Sequence, residues 1–370
     1  MPQLFGRQLG RTELLRRVGR LDQVAGVRLV TLGDGAGRGV RLIEFRTGTG
    51  FAFDVVVDRA FDIGRCEMAG TPLAWIANPG TVAPWFYEND AWGWFRAWGG
   101  GMVVTCGLDH TLGPGEDSAE DYHQPHIRTK QSFGLHGRIG GLPARLVGYG
   151  ERWDGDECVL WAEGEVLQSA IFGEHLTLRR RVEARVGQSR FTIHDVVENV
   201  GHHPTSHMFL YHCNAGFPVV DDGSRLLVPS SRTTTDYGVP IDGYATMSAP
   251  IEGFTEACFE HELIAEASGT VPVAVVNDAL GVGVYQQFRI DQLGHHTVWR
   301  MMGEDTYAVA MEPSTNRDAG RWDARERGEL QVLAPGESRE YDLEIGALVG
   351  GSDIASFERR VSTMAPGVPA

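Results

Sequence analysis

The chain has 370 residues, with 49 Asp+Glu against 33 Lys+Arg, a formal net charge of −16 and 42% hydrophobic residues. An acidic chain without a basic block lacks the phosphate-neutralising footprint of a nucleic-acid binder, and this apolar fraction excludes a disordered chain. Five widely spaced cysteines, odd in number and without a CxxC pair, suit a reducing cytoplasm and exclude a zinc ribbon.

The first thirty residues interleave charges with Leu and Val and show no separate apolar core of a leader, and no later run approaches a bilayer span, so a cytoplasmic protein that avoids membranes is expected. Leu14, Leu15, Val18 and Leu21 stand near helical spacing and predict one short amphipathic helix within 10–22. The apolar period then becomes two. Runs at 27–32, 40–45, 51–57, 158–162, 176–182, 191–197 and 282–288 alternate or run apolar between Gly, Asp, Asn or Pro, as strands do. Asp34-Gly35, Asp154-Gly155, Asp222-Gly223, Asp242-Gly243 and Pro335-Gly336 supply turns. The 48 glycines are spread along the chain and fit many hairpins. The expected fold is one all-β, mainly antiparallel domain over 25–348, a sandwich of two extended sheets. An N-terminal segment, 1–24, precedes it and a C-terminal tail, 349–370, follows. A jelly roll stays open on composition alone, and a propeller is disfavoured because no blade-length repeat occurs.

Four constellations carry possible chemistry. Trp85, Trp92, Trp94 and Trp98 fall close together among Asp90, Arg96 and glycines. Trp offers a flat apolar face to the C–H face of a pyranose and keeps an N–H to donate. The same segment also reads as a packed loop closing one end of the sandwich. Residues 106–138 hold Asp109, His110, His123, His126 and His136 among further acids, four of the 13 histidines. His123 and His126, spaced His-x-x-His, are candidate ligands for a divalent metal, but no strict metal motif is present, and a polar surface loop is the other reading. In MFLYHCNAGFP, an apolar strand delivers His212 and Asn214 to its end, where a histidine either acts as acid or base or serves structure. In YAVAMEPSTN, an apolar strand delivers Glu312 just before Pro313, where a buried carboxylate either pairs or does chemistry. Arg59, after the Val-rich run 55–57, can donate two parallel bonds to a carboxylate or to vicinal hydroxyls.

Taken in order, DRAFDIG, GGGMVVTCGLDH, LHGRIG, LYHCNAGFP and MEPSTN resemble the aldose 1-epimerase (galactose mutarotase-like) superfamily, over about residues 25–348. HGRIG and the YHCNAGFP and MEPSTN pair are the most specific of these. The resemblance implies a β-supersandwich with a shallow sugar site and no required cofactor. It also implies that His212 protonates the ring oxygen, Glu312 takes the anomeric hydroxyl proton and His136 stabilises the opening ring. Arg138, two residues after His136, fits the family's arginine near the hydroxyls. The substrate-binding set expected with them is Arg59, Asp109, His110, Arg138, Asn214, Trp94 and Trp98. The chain has Tyr-His-Cys-Asn where the family's usual context is Asn-His, an aromatic and Asn, which argues for a substrate other than plain galactose. Two rivals use the same fold: a metal-assisted lyase or isomerase on a keto or oxidised sugar, and a non-catalytic sugar-binding protein. A small-molecule sugar is the expected partner, with the chain as monomer or homodimer.

Overall fold

The computed structural model describes residues 1–119 and 129–364. Two large antiparallel sheets face each other, as the period-two runs require. The first has eight strands, in spatial order Arg145–Asp154, Glu157–Ser169, His175–Arg185, Arg190–Asn199, Ser338–Val349, Val282–Arg289, Thr270–Asn277 and Arg225–Leu227. The second runs Ser230–Thr234, Ala257–Leu263, His295–Met302, Tyr307–Ser314, Thr205–Gly216 and Gln331–Leu333, with Val104–Leu108 also pairing to Thr205–Gly216. A five-stranded sheet, Gly26–Thr31 through Thr71–Pro72, packs Phe53 onto Phe191 of the first sheet at 4.5 Å between ring centroids. Each strand read from sequence is present, several of them longer than the apolar run that marked them.

The helices differ from expectation. The helix expected over 10–22 is only Arg11–Leu15, and a separate 3₁₀ turn follows at Leu21–Gln23. Gly19 falls in the gap, and glycine costs about 1 kcal/mol in a helix interior. Most of the tail is a helix, Gly351–Met364. It buries Ile354, Phe357 and Val361 against Leu227, Ala274, Val276 and Leu348. No helix among the described residues is long and apolar enough to cross a membrane.

A buried ionic network ties the layers together. Arg180 donates to both oxygens of Asp195 at 2.8 and 2.6 Å and to Asp62 Oδ1 at 3.0 Å. Tyr211 donates to Asp195 Oδ2 at 2.7 Å. Arg180, Asp62 and Asp195 are sealed from solvent. The guanidinium pairs with both carboxylates, as buried charge requires, and Arg59 lies 3.7 Å from the remaining oxygen, Asp62 Oδ2.

Candidate active site

The site is built by strand register. Leu210 pairs with Ser314 and Cys213 with Met311, so His212 stands directly opposite Glu312 and their side chains leave the same face. On the next strand Thr297 opposes Glu312 and Trp299 opposes Ala310, and beyond it Cys258 opposes Trp299. The alternate residues, Tyr211, Cys213, Val298, Val309 and Met311, turn into the sandwich core. One sheet therefore carries core on one face and the site on the other. His212 Nε2 lies 3.3 Å from Glu312 Oε1, and the two residues are 4% and 3% exposed.

The tryptophan segment covers this face. Trp94, on the short helix Trp94–Ala97, stacks on Trp98 at 4.4 Å. Trp98 and Trp299 meet the His212 ring edge-on at 5.0 and 5.7 Å. His136 lies 4.7 Å from Trp94 and 5.7 Å from His212, ring to ring. Together they wall a pocket of about 680 Å³ including its mouth, within the range of small-molecule clefts, about 300–1,000 Å³. Trp92 and Phe95, both exposed, stack parallel at 5.9 Å and line its outer part. The two readings of the segment, sugar platform and packed lid, are thus geometrically compatible.

His136 is held in a left-handed conformation, φ 57°, followed by Gly137 at φ 75°. A Cβ at Gly137 would sit 2.3 Å from Gly107 O and 2.4 Å from His110 O, so only glycine fits after His136. Leu112 N–H donates to His136 Nδ1 at 3.4 Å. Burial pushes the His136 imidazole well below its ordinary value, assisted by His212 and His110. A neutral ring that accepts at Nδ1 carries its proton on Nε2, and His136 is then a donor.

Burial holds His212 down at about 4. It drives Glu312 in the opposite direction, well above the usual carboxylate range, and the acids Asp318 and Glu256 push it further. Both shifts favour a pair that holds one proton as neutral imidazole and neutral carboxyl. His212 Nδ1 and Asn214 Oδ1 each lack a hydrogen-bond partner. A proton on Nδ1 would be balanced by that amide oxygen and would leave the Nε2 lone pair facing Glu312.

The other expected residues separate. Trp94, Trp98, His136, His212 and Glu312 converge on the pocket. Asn214 backs His212, its Nδ2 donating to Gly101 O and His212 O, both at 2.9 Å. Arg59 does not reach the pocket; it is buried, donates to Gly100 O at 2.8 Å and lies 3.7 Å from Asp62. Asp109 accepts from Gln168 Nε2 at 2.7 Å, and His110 packs on Phe133 with Nε2 donating to Gly113 O at 2.9 Å. Arg138 donates to Glu174 Oε1 at 2.5 Å. None of these four lines the pocket, and each is engaged by a partner of its own. His123 and His126 lie outside the described residues, and among the described residues no group of three His, Cys, Asp or Glu could hold a metal ion.

Four pocket residues had no local signal in the sequence: Trp299, Tyr237, Glu256 and Asp318. Trp299 donates from Nε1 to Glu256 Oε2 at 2.8 Å. Burial raises Asp318 to about 6, against a hydrogen bond with Cys258. Cross-strand register would have found Trp299, since it lies two residues along from the partner of Glu312.

The fold is that of a galactose mutarotase-like β-supersandwich. A proposed aldose 1-epimerase from Klebsiella pneumoniae superposes with a TM-score of 0.83 at 24% identity, covering 94% of this chain and 91% of that one. A galactose mutarotase-like protein from Clostridium acetobutylicum gives 0.59 at 10% identity, over 88% and 99% of the two chains. A galactose 1-epimerase from Lactobacillus acidophilus gives 0.51 at 11%, over 88% and 99%. The chain belongs to the family described as a domain of unknown function, DUF4432, whose model matches residues 37–347. No curated protein matches it.

Proposed function

We propose that the protein is a carbohydrate-active isomerase that interconverts the anomers of a free aldose by acid–base ring opening. The observation that carries this reading is the His212–Glu312 pair, 3.3 Å apart on the floor of a tryptophan-walled pocket. In a cyclic aldose the ring oxygen and the anomeric hydroxyl share one carbon, so two facing groups can address both oxygens together. One gives a proton to the ring oxygen as the other takes the hydroxyl proton, and the C–O ring bond breaks to an aldehyde. Rotation about one bond presents the other carbonyl face, and the reverse transfers close the ring.

The pair carries the one proton this cycle needs. It sits on Glu312 in the neutral form and on His212 in the ion-pair form, and the two forms differ by transfer across the pair. In the ion-pair form His212 is the acid and Glu312 the base. His136, donating from Nε2, would stabilise the aldehyde oxygen as charge develops there. Positioned acid–base groups contribute on the order of 10²–10⁴-fold each. The test is polarimetry on freshly dissolved aldoses, with metal analysis of the protein and a chelator arm. Turnover that survives both His212→Asn and Glu312→Gln would sink the proposal, and turnover abolished by chelator would move it to the metal-assisted alternative.

A further inference from the structure

We propose that this pocket selects aldoses bearing an ammonium group over neutral ones and turns away anionic ones. The inference rests on the reading of the cavity as a sugar site and adds the charge class of the sugar. Three carboxyl side chains from separate segments meet there: Glu312 from the sheet floor, Glu256 just before the strand Ala257–Leu263, and Asp318 from the loop after Tyr307–Ser314. Their partners are uncharged or titratable, namely the His212 ring, the Trp299 indole N–H and the Cys258 thiol. No Lys or Arg is among the described residues that wall the pocket. Arg317, the cation beside Asp318 in sequence, lies 3.8 Å from both Glu260 and Glu329 instead.

The electrostatics of these acids point the same way. The charges that act on Glu312 are those of Asp318 and Glu256, and those that act on Asp318 are Glu260, Asp236 and Glu256; all are acidic. With Glu312 and His212 sharing one proton as a pair without net charge, Glu256 and Asp318 give the lining its acidic character, which attracts a cation and repels a second carboxylate or a phosphate. The rest of the wall suits the same ligand. Trp94, Trp98 and Trp299 supply aromatic surface beside the acids, and ring faces attract an ammonium group. Trp98, nine-tenths buried on the pocket wall, has an Nε1–H without a partner. A hydroxyl-rich ligand could satisfy such a donor. The acids are thus placed to read an amine on the ring while the indoles cover its C–H face.

The wall tryptophans report occupancy without turnover. Fluorescence titration of the whole chain near neutral pH would compare a 2-amino-2-deoxyhexose, its N-acetyl derivative, the parent hexose and the matching hexuronate. The ammonium sugar is expected to bind tighter than the neutral pair by on the order of tenfold to a hundredfold, the worth of a hydrogen bond to a charged group. The uronate is expected to bind weakest. Added salt should weaken the ammonium sugar alone, and Glu256→Gln with Asp318→Asn should level it with its parent. Equal binding of ammonium and neutral sugars, or preference for the uronate, overturns the charge class. Failure of every sugar to bind overturns the sugar reading itself. Should the double variant not fold, the salt arm on the wild-type chain decides.

Discussion

Glu312→Gln separates chemistry from packing at the centre of the site. Glutamine keeps the volume and one oxygen acceptor of Glu312 but cannot share a proton with His212 Nε2 across 3.3 Å. Loss of one acid–base partner removes about 10²–10⁴-fold from the rate, or about 3–5 kcal/mol of barrier stabilisation. Stability should move the other way. The folded-state pKa of Glu312 is raised by burial and by Asp318 and Glu256. Its contribution to stability is therefore complete below the unfolded value, about 4.3, and is lost as pH rises through the raised one. The variant escapes that loss, so its melting temperature should equal or exceed wild type, with the gap widening toward alkaline pH. Polarimetry on the best aldose and calorimetric melts across a pH series measure both. A rate within tenfold of wild type, or a melting temperature that falls at every pH, would refute the assignment of Glu312 as the proton partner.

Other outcomes follow from the same geometry. Mutarotation should keep its plateau down to about pH 4, where His212 takes a second proton into the pair; an acid limb near 6.5 in the pH–rate profile would mean the imidazole is not buried as described. His207, His212 and His261 are each held near 4 by burial. Their folded values lie below the unfolded one, so they contribute stability above about pH 6.5 and lose it as pH falls toward 4, on the order of 3 kcal/mol each; urea unfolding at several pH values should show stability falling across that window. Arg180→Met leaves Asp195 buried without its cation and Asp62 with Arg59 alone and should cost about 3–5 kcal/mol, read as a lowered urea midpoint. Ala at Gly137 should displace the His136 backbone, and a normal rate in that variant would show that His136 is not needed.

The strands were legible because burial on one face imposes a period of two, and the runs at 176–182 and 191–197 lie within His175–Arg185 and Arg190–Asn199. The C-terminal helix was legible in principle, since Ile354, Phe357 and Val361 keep helical spacing. His212 and Glu312 carried a local signature, a polar residue at the end of an apolar strand. Glu256, Asp318 and Tyr237 carried none, because they lie in connecting segments that meet at the pocket only once strands far apart in sequence have paired. Arg59, Asp109, His110 and Arg138 stood in motif-rich stretches, yet their partners, Gly100, Gln168, Gly113 and Glu174, are backbone and side-chain groups that only the folded chain supplies. Residue type in a motif marked polarity under burial, and geometry then divided it between the pocket and the scaffold.

The strand Thr205–Gly216 is buried along its whole length, with Tyr211 and Cys213 in the core and His212 toward the pocket. A slip of one residue would exchange the two sets, placing an imidazole in the sandwich and a phenol in the pocket floor. A one-residue insertion or deletion in this strand that no bulge absorbs should therefore abolish the pocket, while a change in the tryptophan segment above it leaves the register untouched. Lineages sharing this scaffold should diverge in what they bind through that cover, and keep the floor fixed.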